Sequence, residues 1–140
     1  MFQLINAERS RYWYKPTDRA EKLKLPLFQE DGSLQQVARA QAEIMGKRQT
    51  MVFVPEEQLR QEMQEAGYPS CLFVDCLQAV VFHREGNSWP ATVSAWMSEP
   101  KHQIIKAKLL NDNFSDLGVG IYRDGRADAY YVFILLAKKL

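Results

Sequence analysis

The stretch from Trp89 to Tyr122 limits what this chain can fold into more than any other. Pro90 fixes φ and suits the first turn of a helix. Trp89, Val93, Trp96 and Met97 then recur at helical spacing, which turns a large apolar stripe inward. Glu99 and His102 follow, an acid and an imidazole three residues apart. The run Asn111-Asp112-Asn113 is turn-forming, and Leu117–Tyr122, LGVGIY, reads as a strand. Helix, acid, imidazole, turn and strand therefore come in fixed order.

The remaining elements announce themselves by period. Trp13–Lys24 is charged, carries Pro16 and reads as a loop or irregular insertion. Ser33 with Gln36 makes a capping box for a helix whose buried face holds Leu34, Val37, Ala38, Ile44 and Met45. Gln41 on that helix reads as a solvated polar residue. Thr50–Val54, TMVFV, predicts a strand or extended segment. Pro55 opens a further helix with acids in its first turn, Leu59, Met63 and Ala66 inward, and Gly67 at C′. Asp124-Gly125 is a hairpin turn, and Tyr130–Leu136 reads as a central strand covered on both faces. Periodicity alone predicts an α+β domain spanning residues 1–140.

Composition excludes several classes. The 140 residues are 46% hydrophobic and 25% charged with a formal net charge of +1, and lysine and arginine are scattered. Nothing points to nucleic acid. No apolar run reaches transmembrane length. Helix-like sequence begins at Phe2, so no signal peptide is visible; the chain reads as cytosolic or as a mature form trimmed of its export segment.

Cys71–Phe82, CLFVDCLQAVVF, is nearly all apolar and reads as a strand covered on both faces. Cys71 and Cys76 are then roughly 16 Å apart with opposed side chains, too far for a disulfide, and read as free, mostly buried thiols. Asp75 interrupts the run. A carboxylate there must be paired, hydrogen-bonded or protonated; the simpler alternative is an Asp at a bulge or sheet edge bonded to backbone amides. His83, in the polar loop HREGNS, reads as solvent-facing.

Taken together, these residues resemble the CAP superfamily (cysteine-rich secretory proteins, antigen 5, plant pathogenesis-related proteins), its bacterial SCP-like branch above all. Trp96-Met97-Ser98-Glu99-Pro100-Lys101-His102 matches the family's W-M-x-S-P-x-H phrase, and Asn111–Gly120, NDNFSDLGVG, its N-P-N-F-x-x-I-G-V-G. Between the two the chain is about three residues longer than that pattern. Met1–Tyr14, with FQLINAERSRY, resembles the opening helix, L-x-N-x-E-R. LQQVARAQAEIMGKR resembles the second helix, with Gln41 where many bacterial members place a histidine. The resemblance implies a three-layer α-β-α sandwich, a mostly antiparallel sheet flanked by helices.

It also implies a cleft holding two histidines and two acids, a set able to take a divalent metal. His102 matches one histidine. Glu99 stands where eukaryotic members place an acid, and Asp75 falls near the family's strand Glu, with Cys76 there if the register slips by one. The other histidine is missing from TMVFV. The residual cleft set is Asp75, Glu99 and His102, which could at most hold zinc weakly. No nucleophile elbow, H-E-x-x-H helix or phosphate loop is present. Cys76 and His102 would form a nucleophilic pair only if both faced one cleft. The expectation is a non-catalytic, extracellular or periplasmic binding module for a lipid, glycan, peptide or protein partner, without cofactor. A zinc-dependent hydrolase and a purely structural protein are the alternatives.

Overall fold

The computed structural model describes residues 1–14, 21–82 and 88–140. In chain order the elements are α1 Phe2–Arg9, β1 Trp13–Tyr14, β2 Leu23–Lys24, β3 Gln29–Glu30, α2 Gly32–Arg48, α3 Glu56–Glu65, β4 Cys71–Phe82, α4 Trp89–Ser98, a 3-10 turn Pro100–His102, α5 Gln103–Leu109, β5 Asp116–Asp124 and β6 Ala129–Lys139. The main sheet runs β3-β5-β6-β4, antiparallel except for the β3–β5 pair. β1 and β2 form a separate small ribbon. That ribbon borders the charged insertion, whose residues 15–20 lie outside the described residues, as does His83.

Strand alternation divides the core. Tyr131, Phe133, Leu135 and Ala137 of β6 pack with α2 and α3, while Val132, Ile134 and Leu136 pack with α1, α4 and α5. The architecture is therefore the expected α+β sandwich, helices outside a mostly antiparallel sheet.

Two glycines set the α2 layer. A Cβ on Gly118 would run into the Leu34 backbone, and one on Gly120 into that of Ala38. Backbone meets backbone there, so α2 settles directly on β5. Asp31 caps α2, its Oδ1 accepting from the amides of Ser33 (2.9 Å) and Leu34 (3.0 Å). The cap thus lies earlier in the chain than the Ser33–Gln36 box, because Ser33 is already helical. Gln41 is not solvated: it is buried, and its amide donates to both carboxylate oxygens of Glu62 on α3.

On the other face, α1 is held by Arg9, which is 1% exposed. Its guanidinium donates to the carbonyls of Pro26 (2.6 Å), Leu109 (2.9 Å), Asn111 (3.1 Å) and Phe114 (3.4 Å), and lies over the Phe28 ring. Desolvation pulls its pKa down to about 10, so it stays charged at neutral pH. Asn6 clamps the Phe28 backbone, donating to its carbonyl and accepting from its amide. Distant segments are thereby tied to one short helix, which is why α1 needs little burial of its own.

Of the strand or extended segment expected at Thr50–Val54, the strand is not realised. β4 is the sheet edge; its middle is covered on both faces, with Val74 buried on one and Leu77 and Ala79 on the other, while Leu72, Phe73 and Phe82 near its ends are exposed. And Cys71 and Cys76 face the same cluster, because a β-bulge between Cys71 and Phe73 shifts the alternation by one residue. Both thiols are free.

Gly120→Ala is expected to cost about 3 kcal/mol of stability by overpacking backbone on backbone. Gly32→Ala, where a Cβ meets nothing within 4 Å, should leave the urea midpoint unchanged or slightly raised. Equal midpoints for the two variants would contradict the close α2–β5 approach.

Candidate functional site

The chain leaves α4 at Ser98 and turns sharply, since Glu99 is extended and Pro100 restarts it as a 3-10 turn. That local geometry brings Glu99 and His102 together. His102 Nε2 lies 3.6 Å from Glu99 Oε2, and Lys101 Nζ lies 3.3 Å from the same oxygen. The pair opens on a hollow of about 310 Å³ bounded by Val80–Phe82 and the flank of α4.

Asp75 lies elsewhere. Its Oδ1 accepts from the Cys76 amide at 2.7 Å and meets Lys108 Nζ at 3.1 Å. Lys108 also donates to the Cys76 carbonyl at 2.8 Å. Asp75 is five residues before Val80, roughly 16 Å along the strand. Asp75 is therefore paired with an ammonium from α5 and not with His102, and the alternative of an edge Asp bonded to a backbone amide is the one realised. With about a third of each side chain exposed, this ion pair contributes at most about 1 kcal/mol.

The donor set does not fit a metal. Among the described residues, no group of three or more His, Cys, Asp and Glu side chains is placed to hold one. Asp75 is neutralised by Lys108, and the Glu99 carboxylate is shared with Lys101, whose charge opposes a cation at that point. Of the expected set Asp75, Glu99 and His102, the structure brings Glu99 and His102 together and leaves Asp75 with Lys108. Nor do Cys76 and His102 pair: Cys76 packs against the α2-side cluster, and burial pushes its thiol pKa up. A half-buried thiol whose pKa is raised is a poor nucleophile.

The structure instead lays a groove along the outer edge of β4. Its second hollow, about 340 Å³, has Cys76–Gln78 as floor, Met51 and Val52 as one wall, and Ile104, Ile105 and Lys108 as the other. Gln78 fixes the first wall: its Oε1 accepts from the Val52 amide at 2.9 Å and its Nε2 donates to the Val52 carbonyl at 2.5 Å. Residues 51–54 then alternate, with Val52 and Val54 inward and Met51 and Phe53 outward. Phe53 is 90% exposed and Ile104 74% exposed. Sequence reasoning misses Gln78, Ile104 and Lys108; the apolar alternation in TMVFV is the available signal for the first wall. A further hollow of about 370 Å³ near Met1, Glu30 and Arg39 holds none of the expected site residues.

Known proteins share this architecture. The family model of the cysteine-rich secretory protein family, CAP, matches residues 2–135. This chain belongs to that family. Among solved structures, an outer surface protein from Borrelia burgdorferi superposes with a TM-score of 0.70 at 18% identity, covering 99% of this chain and 90% of that one. The likeness is one of fold. No curated protein matches the sequence.

Two measurements check the site. Melting temperatures with zinc, magnesium or calcium should agree within about 1 °C, in wild type and His102→Ala alike; a zinc-specific rise lost in His102→Ala would restore a metal site. In Cys71→Ser, the remaining Cys76 should react with a disulfide reagent at least about tenfold more slowly when native than in urea. Equal rates would place Cys76 at the surface.

Proposed function

We propose that the chain is a non-catalytic CAP domain that binds an apolar ligand in the groove along β4, working in the cell envelope or outside the cell. The single observation that carries this reading is the pairing of exposed apolar rims, Met51 on one side and Ile104 on the other, around an open hollow. Contiguous exposed apolar side chains beside a concavity favour binding. The chemistry of the walls supports binding over turnover, because their ionic groups are already paired with each other. The secretory character in the family's description supports an envelope or extracellular setting, as does the surface location named for the Borrelia neighbour. No helix among the described residues is long and apolar enough to cross a membrane.

The test is a fluorescence titration with an environment-sensitive apolar dye. Met51→Glu and Ile104→Glu place charge on opposite rims at exposed positions, so neither should shift the melting temperature by more than about 2 °C. Each is expected to weaken dye binding by about fivefold or more, through lost apolar burial and the cost of approaching a charge. Unchanged affinity in both variants would move the ligand out of the groove.

A further inference from the structure

We infer that the outer edge of β4 takes up an extended apolar peptide as an added strand; this rests on the groove reading and gives its ligand class and mode. Cys76 sets the phase. Its N–H meets Asp75 Oδ1 and its C=O meets Lys108 Nζ, so both point away from β6. In an antiparallel pair, residues that turn both groups outward alternate with residues that bond the neighbour. Gln78 and Val80 therefore present N–H and C=O along the same edge. Among the described residues, no hydrogen bond from outside the sheet reaches these four backbone groups.

The edge is finished differently along its length. Arg60 donates to the carbonyls of Cys71 (2.8 Å) and Leu72 (3.5 Å), and Lys108 with Asp75 covers Cys76. Covering unpaired strand groups with charged side chains blocks edge-to-edge association. The covering stops at Cys76, at one end of the groove floor. An incoming strand bonded at Gln78 and Val80 would send alternate side chains toward Met51 and Val52 on one side and toward the hollow beside α4 on the other.

The walls select the occupant. Lys108 is paired with Asp75, and Lys101 and His102 with Glu99, so the groove offers no strong field for an ionic ligand. A second copy fits poorly, because so short an open stretch, flanked by raised rims, gives far less than the roughly 800 Å² per partner of a stable interface. β5 beyond Leu117, where pairing with β3 ends, is also an edge, but the hollow beside it sets Gln3, Glu30, Gln35 and Arg39 among Met1, Phe2, Val119 and Ile121, a more polar and more charged lining. An apolar strand belongs at β4.

The experiment titrates the isotope-labelled full chain with a short capped peptide alternating valine and threonine, following backbone amide resonances. Two further peptides carry N-methyl groups on alternate nitrogens, one in each phase. Saturable shifts should be largest at Gln78 and Val80, and only one N-methylation phase should weaken binding, by about tenfold, the equivalent of one good hydrogen bond. Val80→Pro removes only an outward N–H, which an edge strand tolerates, and should weaken binding about as much. Binding should be insensitive to salt. Shifts at Val119 and Ile121, equal tolerance of both N-methylation phases, or no saturable shift each overturn strand addition. Rim-dependent dye binding surviving any of these would leave the groove reading in place, whereas its loss would remove that reading separately.

Discussion

The approach of α2 to β5 governs the rest of the structure. Gly118 and Gly120 have no side chain to hold the helix off, so its backbone rests on the strand at Leu34 and Ala38. The consequence is lateral. Seated that close, α2 covers β5 and β6 and does not reach across to β4, whose α2-side face is left to α3 and to residues 51–54. That part of β4 is where Met51 and Val52 stand as one wall of the groove.

Charge placement follows the same division between building the fold and finishing its edge. Buried ionic groups serve the architecture: Arg9 gathers carbonyls from distant segments, Tyr68 donates to the buried Asp116 at 2.5 Å, and Asp124 is held by Gln49 and the Arg126 amide. Partly exposed ones serve β4, where Arg60, Lys108 and Asp75 close half of an edge that would otherwise recruit other strands. Each of these groups has a partner within the fold, and Glu99 with His102 is the acid–imidazole pair that faces a hollow.

Much of this is legible in the sequence, for identifiable reasons. The Trp89 helix, α2, α3, the β5–β6 hairpin and the buried β6 are recorded in local period and turn residues, which need no knowledge of neighbours. Glu99 and His102 come together as their spacing suggests, because they are three residues apart around a proline. Asp75 misleads because its true partner, Lys108, lies on α5, inside the stretch where the chain departs from the family pattern. The place of β4 at the edge is not written in its sequence: an apolar run records that a strand is half buried or more, while the number of its hydrogen-bonded neighbours is a tertiary property. Arg9 and Gln41 look like surface residues until the segments that surround them come together.

Native-state amide hydrogen exchange along β4 tests the central claim most directly, because it reads the edge one residue at a time. Leu77, Ala79 and Val81 bond β6 and are expected to exchange slowly, close to the global unfolding limit. Gln78 and Val80 face outward and should exchange orders of magnitude faster, giving an alternating pattern through the groove floor. Uniform protection across residues 77–81 would mean that the edge is already covered, and the account of β4 as an open docking strand would fail.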